Sequence, residues 1–265
     1  MTAVVHFRRN DLSKLGALIA RSLRTCLRTP ELTAGPLLMS GFFLVIYHGQ
    51  LAGAAPGFLT RGSYIAFIVP LVLLTASFTG GAIGGQLVVR DLESRYFATL
   101  VLTPTRRGTF ALAPTVAGLA VIATQLVILI MVGALLGLKH PHGAAGLGVL
   151  MSYTLVAGTG FLLLALAAGL IGRNMGAVNT AVYIFFPLSF MTATFVPRSS
   201  LEGWMAVAAD FNPLTYLLEA MRDALTPGWS GSALLHGGIA AAGILAVGIA
   251  AAWFGLRQNG KEVDR

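Results

Sequence analysis

The sequence predicts an all-α integral membrane protein: six transmembrane helices, an N-terminal amphipathic interfacial helix, and a short external re-entrant helical hairpin between spans five and six. Three observations carry that prediction. The 265 residues are 56% hydrophobic and 11% charged, with mean hydropathy +0.79, whereas a soluble domain carries roughly 25% charged residues. Apolar runs of about 20 residues, the length a bilayer core demands, recur along the chain. Lys and Arg sit between those runs, mostly on one side of them. The formal charge of +8 therefore reflects membrane topology, and nucleic acid is not an expected partner.

The first element is the stretch 11–29. Leu12, Leu15, Ile19, Leu23 and Leu27 recur at spacings of three and four, with Lys14, Arg21, Arg24 and Arg28 between them. This is a basic amphipathic helix suited to the cytoplasmic membrane interface, with membrane lipids as its neighbours. Asp11 is its candidate N-cap. The residues before it contain no continuous apolar run, so no cleaved signal peptide is expected.

Spans are expected at about 32–51, 63–89, 110–138, 147–171, 177–196 and 233–256, within a single transmembrane domain over residues 1–265. Pro70, Pro114 and Pro187 fall inside the second, third and fifth, where neighbouring helices can satisfy the carbonyls they free. Arg61, Lys139, Arg198 and Arg222 fall on one face; the remaining Lys and Arg, out of 18, fall on the other. That bias places both termini in the cytoplasm. Within the second span, Gly80, Gly81, Gly84 and Gly85 form small-xxx-small pairs that permit close helix crossing. Internal packing is the favoured use, and a subunit interface the other. Asn174, Asn179, Thr180, Thr192 and Thr194 add polarity around spans four and five; they could line a route or bond between helices.

The loop between spans two and three opens with Arg90, Asp91, Glu93 and Arg95. Tyr96, Phe97, Leu100 and Leu102 have partly helical spacing, Thr103-Pro104 breaks it, and Arg106 and Arg107 return to the interface. The pattern fits a short amphipathic helix docking a soluble partner, and equally a turn with stop-transfer arginines.

Several chemistries lack their residues. There is no GxxxxGK[ST], HExxH, GxSxG or CxxC, and Cys26 is the sole cysteine, so no ATP site, catalytic centre, metal or cofactor is expected in this chain. His140 and His142 stand two apart in an external loop without further ligands. Mid-span ionisable groups are nearly missing, which argues against a proton- or sodium-driven secondary transporter. A lipid-modifying membrane enzyme would need a cluster of nucleophile, base or metal ligands, and none is seen. The energy source is expected to lie outside the chain.

Between spans five and six, Asn212-Pro213 starts a helix. Leu214, Leu217, Leu218, Met221 and Leu225 form its apolar face; Glu219, Arg222 and Asp223 fall toward the other, with Glu219 and Arg222 spaced for an i,i+3 ion pair. The preceding VPRSSLEGWMAVAADF offers a second short amphipathic piece, with Trp204 suited to the interface.

In order, these pieces resemble the membrane subunit of ABC-2-type exporters, the group that includes daunorubicin-resistance, polysaccharide-export and lipid-export permeases. The resemblance rests on the basic N-terminal helix, six spans, LVLTPTRR in the loop, FVPRSSLEGW after span five, and NPLTYLLEAMRDAL before span six. Asn212, Pro213, Thr215, Tyr216, Glu219 and Arg222 fit the family's pattern in the last. Where many members carry Gly-Thr in the loop, this chain reads Phe97-Ala98-Thr99. The resemblance implies a permease of a bacterial inner (plasma) membrane, paired with a second permease subunit, identical or homologous, and with separate ATPase subunits that bind ATP and Mg. Residues Arg90 to Arg107 would form the coupling helix to the ATPase. The hairpin carrying Asn212, Pro213, Tyr216, Glu219 and Arg222 would be an outer gate over the exit of a drug, lipid, polyketide or glycan.

Overall fold

The computed structural model describes residues 9–51, 53, 63–93, 107–194, 197–228 and 230–263. All regular structure among them is helical. In chain order the helices are α1 (Arg9–Arg28), α2 (Pro30–Leu51), α3 (Tyr64–Glu93), α4 (Arg107–Leu135), α5 (Gly143–Gly172), α6 (Met175–Tyr183), α7 (Phe185–Phe190), α8 (Gly203–Phe211), α9 (Pro213–Asp223) and α10 (Gly231–Val263), with a 3₁₀ turn at Arg198–Ser200. Pro30 separates the first two: the residue before proline avoids the α region, and proline is tolerated in a first helical turn.

Among the described residues, four helices are long and apolar enough to cross a membrane: α3, α4, α5 and α10. The bent pair α1–α2, meeting at 58°, adds a fifth if it forms one span. The apolar stretch Met175–Phe190 is shorter. The sequence predicts a span at 177–196. Ile184, between α6 and α7, interrupts the helical bonding while keeping helical backbone angles, and the chain leaves helical geometry at Met191. Pro187 supplies the reason, because it has no N–H for the Tyr183 carbonyl and its ring crowds that position.

The core is built on α3. Of its apolar window, 83% is buried, against 33% for α10. A helix apolar on all sides must be surrounded, and α2, α4, α5, α6 and α9 all pack on it. Helices in lipid gain no hydrophobic drive from meeting each other, so close approach and dispersion hold them. Two crossings show this. A Cβ on Gly81 would lie 3.1 Å from the Leu162 nitrogen of α5, and one on Gly85 would collide with the Ala165 carbonyl. Facing it, a Cβ on Gly169 would lie 2.8 Å from the Gly85 oxygen. Helix α5 meets α10 in the same way where Gly160 faces Ile244 and Gly248. Gly84 also turns to Leu162, while Gly80 turns to Gln125 and Ile122 of α4.

Hydroxyl groups inside these helices bond to their own backbone. Thr75 donates to Leu71 O, Thr115 to Ala111 O and Thr154 to Leu150 O, at 2.9, 2.7 and 2.7 Å. This satisfies them without a partner helix.

Candidate functional site

The polar chemistry collects where the α6–α7 segment stops. Residues 191–194 are non-helical, and the last carbonyls of α7 have no intrahelical donor. Buried away from water, such groups need protein partners. Helix α9 supplies them. Asn212 Nδ2 donates to Leu188 O at 2.6 Å and to Met191 O at 3.1 Å. Arg222 Nη1 donates to Ala193 O at 2.6 Å, and Nη2 to Thr194 O at 3.0 Å. Its Nε reaches Phe67 O on α3 at 2.9 Å, and the guanidinium lies 3.5 Å from the Phe67 ring centroid. Pro70 stands three residues further on, and proline loosens the helical turn before it. Thr215 and Thr192 hydroxyls close the contact at 3.0 Å. One planar cation thus ties three backbone segments together, the geometry in which arginine outperforms lysine.

Two local features position this cluster. Asn212 caps α9, its Oδ1 accepting from Leu214 N at 3.0 Å, with Pro213 in the first turn. The apolar side chains Leu214, Leu217, Leu218 and Met221 are buried, so the helix lies with its apolar face inward. Arg222 follows that face and is itself buried.

This corrects the expected Glu219–Arg222 ion pair. The carboxylate of Glu219 is met by Arg198 Nη1 at 3.4 Å, and Arg198 also binds Asp210. Arg198 lies 5.3 Å from the Tyr216 ring centroid, and Tyr216 Oη donates to Asp210 O at 2.7 Å. The physical reason is demand: open carbonyls next to α7 are costly to bury alone, and Arg222 is the donor within reach. Burial lowers the Arg222 pKa to about 9, which leaves it charged at neutral pH. The hydrogen bond to Asp210 raises that of Arg198.

Of the other polar residues, Asn174 caps α6 by accepting from Ala177 N at 2.8 Å, and Thr180 donates to Gly176 O at 2.9 Å. Thr194 donates to Ser189 O. His142, expected in a solvated loop, has its Nε2 2.8 Å from Thr226 O, joining the α4–α5 turn to the residues after α9.

A family profile described as ABC-2 type transporter matches residues 13–226. The chain belongs to the ABC-2 type transporter family. The permease is 21% identical over 213 residues to a protein of Porphyra purpurea named as a transport permease, ycf38, covering 80% of this chain and 73% of that protein. It is 23% identical over 189 residues to the daunorubicin resistance ABC transporter permease protein DrrB1 of Streptomyces coeruleorubidus, covering 71% and 65%. A doxorubicin resistance ABC transporter permease protein, DrrC, of Mycobacterium tuberculosis is 21% identical over 188 residues, covering 71% and 68%.

At the opposite end of α3 in this permease, Arg90, Asp91 and Glu93 form the last helical turn. Asp91 accepts from Arg21 Nη2 of α1 at 2.8 Å, a partner that spacing within one segment does not reveal. Arg95, Leu100, Thr103, Pro104 and Arg106 lie outside the described residues, and Arg107 begins α4. Of the expected coupling residues, Arg90, Asp91 and Glu93 therefore sit at the end of α3 opposite the one that Arg222 reaches.

Proposed function

We propose that this permease is the membrane subunit of an ATP-driven exporter that moves a hydrophobic or amphiphilic substrate, such as a drug, lipid, polyketide or glycan, out of a bacterial cytoplasm. A separate ATPase subunit binds ATP and Mg, and a second permease subunit, identical or homologous, completes the pathway. Six spans are counted as α2, α3, α4, α5, the broken α6–α7 and α10, with α1 at the interface and both termini cytoplasmic. Residues Arg90, Asp91, Glu93, Arg95, Leu100, Thr103, Pro104, Arg106 and Arg107 carry the coupling to the ATPase. Relatives named for daunorubicin and doxorubicin resistance support the substrate class.

One observation carries the gating part of this reading. Arg222 and Asn212 bind the hairpin α8–α9 to the unwound end of α7, and Arg222 binds it also to α3. The hairpin moves only if those bonds move with it or exchange, so it is coupled to two membrane segments. Tyr216, Glu219 and Pro213 complete its outer surface. ATP-driven closure of the ATPase pair would shift α3 from its Glu93 end and be felt at Phe67, one rigid helix away.

The test is co-expression with the partner ATPase. The purified chain alone is expected to hydrolyse no ATP, and the complex in proteoliposomes to hydrolyse it with substrate stimulation and to accumulate substrate. If no ATPase co-purifies and substitution of Glu93 or Arg95 leaves export intact, the coupling role is wrong.

A further inference from the structure

A cavity of about 360 Å³ opens where α1, α2 and α4 meet, within the range of about 300–1,000 Å³ typical of ligand sites. Leu23, Cys26 and Leu27 of α1, Leu37 of α2 and Val121 of α4 make its wall almost wholly apolar. Leu27 is 82% exposed at its border. Gln125 Nε2 donates to Thr33 O at 3.3 Å, bracing α4 against α2 across the same wall.

The charges beside it divide into two groups. Arg21 meets Asp91 of α3 at 2.8 Å. Arg24 and Arg28 are exposed. They stand one turn apart on one side of α1, flanking Leu27. Among the described residues neither pairs with a carboxylate. An apolar slot bordered by two exposed cations fits an anion that carries a hydrocarbon tail.

We propose that this cavity holds one acyl chain of an anionic phospholipid, with its phosphate on Arg24 and Arg28. Burial of the methylenes supplies affinity, and the two arginines select the headgroup. A resident lipid here wedges the elbow between α1 and α2 and sets the angle at which α1 meets α3 through Arg21. The inference rests on the interfacial placement of α1 proposed above, and not on ATP coupling.

Native mass spectrometry of the full chain, titrated with phosphatidylglycerol and phosphatidylcholine at equal concentration, tests it. One phosphatidylglycerol is expected to be retained in preference to phosphatidylcholine by roughly 30-fold, about fivefold for each arginine. Arg24→Gln with Arg28→Gln is expected to erase the preference while a lipid stays bound. Ala34→Trp, which fills the cavity, is expected to remove the retained lipid; Ala120→Trp, introduced from the α4 side, serves if that variant fails to fold. Equal retention of the two lipids overturns the proposal, as does an unchanged preference without the arginines. If either filling variant abolishes self-association and leaves lipid retention intact, a second copy of the chain covers this face and the proposal is also overturned. The readout involves no ATP and no partner chain, so it can fail while export stands, and the reverse.

Discussion

The two ends of α3 are held by the same chemical group in opposite surroundings. At the Tyr64 end, the buried guanidinium of Arg222 donates to Phe67 O, Ala193 O and Thr194 O. At the Glu93 end, Arg21 meets Asp91 at 2.8 Å, with side chains 39% and 29% exposed. Water competes for the second pair and little competes for the first. An exposed ion pair contributes about 0.2–1 kcal/mol, whereas each buried carbonyl left without a donor costs about 1–3 kcal/mol. The contrast is one of surroundings: α3 is tied by a buried guanidinium at one end and by a partly exposed ion pair at the other, the end proposed to face the ATPase.

Arg222→Ala tests this contrast most severely. It takes the side-chain donor from the non-helical Ala193 and Thr194 carbonyls and from Phe67 O, and a loss of about 1–3 kcal/mol for each buried carbonyl left without a donor is expected, read as thermal unfolding in detergent. Arg222→Lys should recover little, because a point charge does not reproduce the planar fork. If Arg222→Ala proves no more damaging than Arg21→Gln, the two ends are held alike and the contrast is broken. Asn212→Ala comes next, at about 1–3 kcal/mol, since it frees Leu188 O and Met191 O and removes the α9 cap. Arg198→Gln is expected to cost at most about 1 kcal/mol and to lose even that effect in high salt, because its partners Asp210 and Glu219 stand near water. The smallest effect belongs to Arg21→Gln with Asp91→Asn: a double-mutant cycle should give a coupling of about 0.2–1 kcal/mol. A coupling well above that would show that the Glu93 end is also locked.

Much of this was legible along the chain. The helices α3, α4, α5 and α10 are long apolar runs, and Asn212-Pro213 announces the start of α9. The fifth segment is expected at 177–196 with Pro187 inside it, and its helices end at Phe190 among the described residues. Hydropathy counts residues and not backbone donors, and Pro187, four residues after Tyr183, is the local signal for the interruption at Ile184. The destination of Arg222 was hidden for a related reason. Helical spacing to Glu219 describes one helix surface, and Phe67, 155 residues away in sequence, belongs to another. Asp91 likewise reads as a loop charge until α1 is placed beside it.

The sequence by itself determined that the chain enters a membrane, where most of its helices lie, and which family it resembles. Those properties follow from composition and short-range pattern, since each residue's hydrophobicity and each proline's missing N–H act locally. Only the tertiary structure decided which carbonyls lack a donor and which arginine answers them. An open carbonyl arises where one segment unwinds, and its partner is whatever side chain another segment brings within 3 Å or so of it. Buried away from water, such carbonyls are costly to leave unpaired, and that turned Arg222 from an expected surface charge into the tie between α9, the residues after α7, and α3.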